Sequence, residues 1–320
     1  MDHGPLKVLF VQAAHTATAD RVAYHQRVSL EQAGHWCDYV FVSDTIKTDP
    51  DIIICDNPVA IRYARQRFGR HIPLIYDVTE WYPSKKNLHN VSWLLRPLKW
   101  CVLLLASLWA GCTADAFIFG EYHKARPFRF FFPRKKHLLL PYYPSLRYVN
   151  PLPPRRIDDE LRLFYAGPQT EEKGFLRAQE LARICEQRLP DKKVIFTAVE
   201  GLPFEEFCQQ IARQDIFLDL RDNDAENTRC LPIKLFYYLA AGRPVIYSDL
   251  KAIRHGVPEI VSDSLVVPND LQRAADIICA YAASPERYQA VCKRNRQLAE
   301  DHYNWDAQSE RFVQFVEQLA

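Results

Sequence analysis

The sequence predicts an α/β protein made of two Rossmann-like domains that face a cleft. Its 320 residues, 48% of them apolar and 25% charged, are enough for two ordinary globular domains. Short apolar runs alternate with helical patterns, which is typical of parallel sheets with crossover helices. A proline-rich stretch at 142–154 interrupts this alternation, which then restarts, so we place the domain boundary there.

The first predicted domain covers residues 1–150. A helix beginning near Arg21 ends at Gly34, a residue suited to a left-handed cap. Strands are predicted at 7–12, 37–42, 51–55, 74–76, 116–119 and 138–140.

The second predicted domain covers residues 151–304 and repeats the alternation. Its strands are predicted at 161–165, 193–197, 216–218 and 244–247. Its helices are predicted at 175–188, 203–214 and 234–241, with terminal helices from residue 271 onward.

Composition excludes several classes of protein. The nine cysteines are scattered, odd in number and never spaced as a CxxC pair, which favours a reducing cytoplasm over a disulfide framework or a zinc site. The first residues carry no signal-peptide pattern. The chain has no G-x-S-x-G motif, P-loop or dinucleotide fingerprint, so hydrolase, ATPase and dehydrogenase functions have no support.

Basic charge is concentrated in one segment. Residues 85–136 contain ten Lys or Arg and two acidic residues, a local charge of +8, whereas the chain as a whole carries +2. Dense aliphatic and aromatic residues lie between these cations, which favours an anionic membrane surface over nucleic acid as the partner. The predicted membrane contacts are Trp100, Lys124, Arg126, Arg129, Phe131, Arg134, Lys135 and Lys136.

A helix is predicted at 97–112 within this segment. Its polar residues fall in a narrow arc, and its apolar run is about half the roughly 20 residues that a bilayer span requires. Two interpretations stay open: a helix seated on the membrane surface, or a helix buried in the core of the first domain.

Loops after the strands of the second domain contain the candidate ligand-binding residues, because ligands of parallel sheets bind beyond the carboxyl ends of the strands. After the strand at 161–165, Gly167 and Lys173 precede a helix whose amides favour an anion such as a diphosphate. A plain strand-to-helix connection is the alternative. After the strand at 216–218, a polar loop contains Glu226, Asn227 and Arg229 and leads to Lys234.

Several motifs resemble those of retaining GT-B glycosyltransferases of family 4, over nearly the whole chain. They are Leu30-Glu-Gln-Ala-Gly34, Tyr76-Asp-Val-Thr-Glu80, Tyr165-Ala-Gly-Pro-Gln-Thr-Glu-Glu-Lys-Gly174, Pro232-Ile-Lys-Leu-Phe-Tyr-Tyr-Leu-Ala-Ala-Gly242-Arg-Pro-Val-Ile246 and Tyr303-Asn-Trp305. The resemblance implies a nucleotide-sugar donor in the second domain, an acceptor against the first, and a terminal helix at 305–320 that packs back on the first domain. It also implies that no bound metal is needed.

The resemblance places Lys173 at the phosphates, the 226–229 loop at the sugar, and Lys234 and Tyr237 at the donor. This chain departs from the family where a spaced pair of glutamates is usual, since Arg229 and Tyr237 occupy those positions. It also has Pro168 in place of an arginine and Thr79 in place of a histidine. Tyr237 has a phenol where the family has a carboxylate, and a phenol accepts fewer hydrogen bonds from a ribose. Arg229 and Lys234 can supply the positive charge that is lost where Pro168 replaces an arginine.

Asp77 and Glu80 follow a strand of the first domain and are the candidate catalytic residues, each able to orient or deprotonate an acceptor hydroxyl. Surface capping or ion pairing is the alternative for both. The expected function is transfer of a sugar from a nucleotide-diphosphate donor to a glycan or lipid-linked acceptor in surface polysaccharide synthesis, at the cytoplasmic face of the membrane. A catalytically inactive glycan-binding or partner-binding scaffold, and an epimerase, are the alternatives.

Overall fold

A computed structural model describes most of the chain, namely residues 4–13, 17–44, 49–84, 86–88, 91–224, 227–260, 265–266 and 270–320. Contacts between Cα atoms divide it into two compact units. The first unit comprises Met1–Tyr142 and Ala307–Ala320, and the second comprises Tyr143–Asp306. The division falls at Tyr142, whereas the sequence prediction placed the boundary at residue 150.

The first unit contains a parallel sheet of six strands in the order β2-β1-β3-β4-β5-β6. The strands are β1 (Lys7–Gln12), β2 (Trp36–Phe41), β3 (Ile52–Cys55), β4 (Leu74–Val78), β5 (Ala116–Phe119) and β6 (Lys136–Leu139). The helices are α1 (Ala17–Gln32), α2 (Pro58–Phe68), α3 (Arg96–Thr113) and α4 (Tyr122–Phe131), with α11 (Asp306–Glu317) at the end of the chain.

The second unit contains a parallel sheet of five strands in the order β11-β10-β9-β7-β8. The strands are β7 (Glu160–Ala166), β8 (Lys193–Val199), β9 (Ile216–Asp219), β10 (Val245–Ser248) and β11 (Leu265–Val266). The helices are α5 (Phe175–Arg188), α6 (Phe204–Ala212), α7 (Ile233–Ala240), α8 (Lys251–Gly256), α9 (Leu271–Ala283) and α10 (Pro285–Asp301).

Both sheets have the same topology. Counted from the start of each unit, the second strand lies at one edge, followed by the first, third, fourth and fifth strands, and the first sheet adds β6 at its other edge. The chain therefore changes direction across the sheet between β1 and β3 in the first unit and between β7 and β9 in the second. Such switch points leave a crevice at the carboxyl ends of the two strands, where ligands of open parallel sheets bind. The predicted α/β class with two Rossmann-like halves is confirmed.

Strand β7 shows how sequence determines the core of the second unit. Its last four residues, 163–166, are a continuous apolar run, and alternate side chains enter two different clusters. Leu163 and Tyr165 pack with α5 and α9 on one face, while Phe164 packs with α6 and α7 on the other. A continuous apolar strand is expected when helices cover both faces of a parallel sheet.

Helix α4 was not predicted, because the 124–136 segment is rich in charge and contains Pro127. The helix forms because the ring of Phe128 is buried and lies within 6 Å of the rings of Tyr76, Trp81 and Phe117. Tertiary packing outweighs the cost of an internal proline here.

Candidate functional site

The switch point of the second unit brings together residues from three segments. Gly167 directly follows β7, and its φ of +136° lies in a region that favours glycine. A Cβ added there would lie 3.3 Å from Nζ of Lys234, which comes from the first turn of α7. The absence of a side chain at Gly167 therefore leaves room for the Lys234 ammonium beside the end of β7.

Three contacts fix the position of the Lys234 ammonium. Nζ donates a hydrogen bond to the carbonyl oxygen of Ala166 at 2.6 Å and lies 3.6 Å from Oδ1 of Asp219. It also lies 4.8 Å from the centre of the Tyr165 ring, a cation–π distance. Burial lowers the pKa of Lys234 to about 8, although Asp219 acts in the opposite direction.

Asp219 ends β9 and is only 1% exposed. Its Oδ1 accepts a hydrogen bond from Nε of Arg221 at 2.8 Å, in addition to the Lys234 contact. Burial by itself would raise the pKa of Asp219, but Arg221 and Lys234 together outweigh it and hold that pKa below its usual range. Neither Asp219 nor Arg221 was predicted as a site residue, although both stand in the predicted polar loop after a buried strand, where ligands of parallel sheets bind.

Lys173 comes from the loop between β7 and α5 and adds a third cation. Its Nζ donates a hydrogen bond to Oδ1 of Asn227 at 3.1 Å and lies 3.8 Å from a carboxylate oxygen of Glu172. Lys173 also acts electrostatically on the ammonium of Lys234, so the two cations lie in one neighbourhood. The two lysines predicted to bind the donor therefore lie close together, and anion binding by them stays a prediction.

Asn227, predicted to bind donor, is 1% exposed and has its side chain engaged within the loop. Its Nδ2 donates to Oδ2 of Asp224 at 2.8 Å, and its Oδ1 accepts from Lys173. In the described structure it holds Lys173 in place. Arg229 is exposed, in a short 3-10 turn, and Glu226 lies outside the described residues.

Tyr237, expected at the donor, is instead a core side chain with 2% exposure. Its ring makes edge-to-face contacts with Phe204 at 6.0 Å and Phe207 at 5.7 Å, both on α6. The face of α7 that carries Tyr237 packs against α6, while Lys234, three residues earlier, lies at the end of β7. The expectation that Tyr237 lies at the donor is therefore corrected. Where the family has a glutamate, this chain has an aromatic ring that packs in the core.

Helix α5 begins next to the same loops. Gly174 precedes it with φ of +82°, and no side chain caps the helix. A Cβ at Gly174 would lie 2.0 Å from the carbonyl oxygen of Leu220, so only glycine lets the start of α5 approach the segment that follows β9. The N-terminal amides and the positive end of the helix dipole are thereby brought near Arg221.

At the equivalent edge of the first unit, acidic residues lie where the second unit has cations. Asp77 on β4 is 3% exposed and accepts hydrogen bonds from Nε2 of Gln26 at 2.7 Å and from the hydroxyl of Tyr142 at 3.4 Å. Asp56 directly follows β3, the neighbouring strand, and was missed by sequence analysis. Burial raises the pKa of Asp77 to about 6, and burial together with the charge of Asp77 raises that of Asp56 to about 7.

Asp77 was predicted to face a cleft, and that expectation is corrected because both of its oxygens are engaged inside the first unit. Glu80 is half-buried and accepts a hydrogen bond from Nδ2 of Asn87 at 3.2 Å. Of the acidic side chains at this edge, Asp56 and Glu80 are partly accessible and Asp77 is not.

Helix α3 turns its apolar face outward. The small and polar residues Ser107, Ala110, Gly111 and Thr113 are buried, whereas the large apolar side chains are exposed or half-buried. The alternative of a core helix at 97–112 is therefore wrong. The exposed large side chains on and just before α3, which we term the α3 outer face, are Trp93, Leu94, Leu95, Leu98, Trp100, Val102, Leu105 and Trp109.

Part of the basic segment packs against the buried side of α3. The ring of Phe132 packs so closely on Gly111 of α3 that a Cβ there would lie 2.2 Å from it. The predicted contacts Arg126, Arg129, Phe131 and Arg134 are exposed, as is Phe130.

Three lysines predicted to contact a membrane have partners within the protein. Nζ of Lys135 donates to the carbonyl oxygens of Gly111 at 2.7 Å and Cys112 at 2.8 Å, and so caps the C-terminus of α3. Lys124 forms an ion pair with Glu121 at 3.4 Å, and exposed Lys136 donates to the carbonyl of Gln318 at 3.2 Å. The expectation that Lys124 and Lys135 are open surface cations is corrected.

Two broader properties concern metal and membrane binding. Within the part of the chain that the structure describes, no three His, Cys, Asp or Glu side chains come together as metal ligands. Across those same residues, no helix combines the length and the apolar character that crossing a bilayer requires. All nine cysteines are free thiols.

A family model matches part of the chain in sequence. The model of a family described as "Glycosyl transferase-like" matches residues 177–314, a range that contains Asp219, Arg221 and Lys234. No curated protein matches the chain in sequence.

Solved structures resemble the fold over nearly the whole chain. Sucrose-phosphate synthase from Thermosynechococcus elongatus superimposes with a TM-score of 0.68 at 14% identity, covering 98% of this chain and 99% of that one. HepE from Anabaena, solved in complex with UDP-glucose, gives 0.65 at 13% identity, with 98% and 100% covered. The pneumococcal O-GlcNAc transferase GtfA, solved with UDP and GlcNAc, gives 0.55 at 14% identity, with 84% and 56% covered.

At these identities the structural likeness establishes the fold, which is that of GT-B proteins. The family match adds a similarity in sequence over most of the second unit. Together they support a glycosyltransferase enzyme.

Proposed function

We propose that the protein transfers a sugar from a nucleoside-diphosphate donor, bound at the switch point of the second unit. One observation carries the proposal: Lys173, Arg221 and Lys234, from three different segments, form one electrostatic cluster at the carboxyl ends of β7 and β9. Several cations and a helix N-terminus at this position are suited to a diphosphate. The neighbours solved with UDP or UDP-glucose favour UDP as the nucleotide.

The chemistry follows from the charge that develops at the leaving group. As the bond between the sugar and the diphosphate breaks, negative charge grows on the diphosphate oxygens, and fixed cations stabilise it most effectively when water is excluded. Lys234, with most of its side chain buried, is well placed for this role. Because side-chain cations supply the charge, we propose that turnover needs no bound metal. Retention of the anomeric configuration is proposed on the family resemblance and is tested by NMR of the product.

A thermal-shift panel of UDP-glucose, UDP-GlcNAc, GDP-mannose and UDP tests donor binding. A ligand that binds the folded state stabilises it by RT ln(1 + [L]/Kd), about 2.7 kcal/mol at 100 times Kd. We expect a UDP-sugar to raise the melting temperature, with a smaller rise in the Lys234→Met variant. The matched control Lys251→Met, on a helix of the same unit, should respond as the wild type does. No shift with any donor would contradict the proposal.

Release of free UDP distinguishes the alternatives. We expect release that depends on added acceptor. Binding without release, with any of a range of acceptors, would favour an inactive scaffold, and a changed nucleotide sugar without acceptor would identify an epimerase.

We further propose that the α3 outer face rests on an anionic membrane. The apolar side chains point to solvent along one stripe of the helix, where a soluble protein normally presents polar residues. Three tryptophans lie on or just before this helix, and tryptophan is enriched at membrane interfaces. The exposed cations Arg126, Arg129 and Arg134 supply attraction to anionic lipid, about 1 kcal/mol each near such a surface.

Vesicle flotation tests the membrane proposal. We expect binding to vesicles of phosphatidylglycerol and phosphatidylcholine, weaker binding to phosphatidylcholine alone, and loss of binding in the Leu98→Glu/Leu105→Glu variant. The control Leu152→Glu/Leu176→Glu changes two similarly exposed leucines of the second unit and should leave binding unchanged. Equal flotation of both variants would contradict the proposal.

The acceptor that fits these two proposals is a lipid-linked glycan, at the cytoplasmic face of the membrane, in the synthesis of surface polysaccharide. The free thiols are consistent with a reducing compartment. Transfer of radiolabelled sugar to a lipid-extractable product in membranes of the source cell tests this step. Product found only in the aqueous phase would contradict it.

A further inference from the structure

Asp219 is a carboxylate where the proposed function places an anionic ligand. It is almost completely buried, at the end of β9, and acts electrostatically on both Lys234 and Arg221. A negative charge at this position repels a diphosphate, and a buried carboxylate is costly to desolvate. Its presence in the site therefore calls for a compensating role.

The contacts of Asp219 indicate that role. Oδ1 is shared by Nε of Arg221 at 2.8 Å and Nζ of Lys234 at 3.6 Å. Oδ2 has no hydrogen-bond partner among the described residues, so the engaged oxygen is the one that joins the two cations. Lys234 comes from α7 and Arg221 from the segment after β9, and Asp219 is the side chain that links them.

Resting on the proposed function, we propose that Asp219 is a positioning residue for the donor diphosphate, which holds the Lys234 ammonium charged and aligned with Arg221. Without this carboxylate the buried ammonium would keep its hydrogen bond to the carbonyl of Ala166, but the charged groups that act on it would all be cations. The groups that act on it are Arg221 and Asp219 from the β9 end, Lys173 from the loop before α5, and the Tyr165 ring from β7. Of these charged groups, only Asp219 favours the protonated amine.

Because the bound diphosphate needs a charged Lys234, its affinity should fall as the pH rises. The pKa of Lys234 is about 8, so affinity for UDP should fall as the pH rises from 7 to 9. Removing a neighbouring opposite charge moves a buried group by roughly 1 to 3 pKa units. In Asp219→Asn, the midpoint of that fall should therefore move to lower pH by about one unit or more.

The test measures the affinity of the full chain for UDP between pH 6 and 9, by calorimetry, in four proteins. They are the wild type, Asp219→Asn, Asp219→Asn/Lys234→Arg and the control Asp222→Asn. Asp222 lies in the same loop but pairs with Arg177 instead. We expect a lower midpoint in Asp219→Asn, an unchanged one in the control, and restored, pH-independent binding in the double variant, because arginine stays protonated.

A merely structural ion pair would change the melting temperature of Asp219→Asn without moving its pH midpoint, and that outcome would overturn the inference. Labelling of Lys234 with acetic anhydride at several pH values measures its protonation with no ligand present. If the wild type binds no UDP, the proposed function fails. In that case the labelling still tests the role of Asp219. If the labelling of Lys234 has the same pH dependence in the wild type and in Asp219→Asn, that role is overturned.

Discussion

The two units share one sheet topology but present opposite charges at the carboxyl ends of their strands. In the first unit, Asp56 and Asp77 lie at the ends of β3 and β4. In the second, Lys234 and Arg221 surround the end of β9. The topology determines where a ligand can bind, and the side chains at the edge determine which ligand that is.

Buried carboxylates show the difference most directly. Asp77 and Asp219 are nearly equally buried, at 3% and 1% exposure. The pKa of Asp77 is raised to about 6, because desolvation outweighs its hydrogen bonds from Gln26 and Tyr142. That of Asp219 is lowered, because two cations outweigh desolvation. The carboxyl edge of the second sheet therefore carries cations that keep a buried carboxylate ionised, whereas that of the first carries carboxyl groups with raised pKa values.

The largest effect is expected from removing the close approach at Gly174. A valine there would meet the carbonyl of Leu220 and adopt a positive φ, so we expect the second unit to lose its native fold. The control Gly34→Ala, with φ of +91° and open space at its Cβ, carries only the conformational cost of about 1 to 2 kcal/mol. Near-UV circular dichroism checks this, and a native spectrum for Gly174→Val would contradict it.

Asp56 should make the first unit less stable as pH rises. The folded state keeps a proton up to about pH 7 that the unfolded chain releases near pH 4, so the free energy of unfolding falls between these values. Asp56→Asn removes this fall and should be more stable than the wild type at pH 8 by about 4 kcal/mol, and equal to it at pH 4.

Urea titration followed by tryptophan fluorescence measures this, since five of the six tryptophans belong to the first unit. If the free energy of unfolding of Asp56→Asn has the same pH dependence as that of the wild type, the raised pKa of Asp56 is contradicted.

A smaller effect is expected at the basic segment. Lys135→Met removes the cap on the last carbonyls of α3 and should destabilise the first unit by about 1 kcal/mol. Lys136→Met removes one exposed hydrogen bond and should have almost no effect. Equal stabilities in the same urea titration would contradict the capping role of Lys135.

Sequence was sufficient for ten of the eleven described strands, all but β11, and not for the roles of side chains. Continuous apolar runs predicted β9 and β10 to within one residue at either end. Helix α4 was missed because tertiary packing of Phe128 outweighs Pro127, a contribution that local sequence does not carry.

Roles within the site depend on which face of an element is buried. Tyr237 and Asn227 were expected to meet the donor, but one packs against α6 and the other bonds Lys173. Lys173 and Lys234 were correctly placed in one neighbourhood, because the carboxyl ends of parallel strands share an edge. Asp56 and Asp219 follow the same rule and were overlooked only because single acidic residues carry no motif.

The most direct test of the central claim is a titration of the isotope-labelled full chain with UDP, followed by amide chemical shifts. We predict that the amides whose chemical shifts change lie in the second unit, at Gly167, at Lys173 and the start of α5, at Arg221 and at Lys234. Perturbations centred on Asp56 and Asp77, or none at all at saturating UDP, would contradict it.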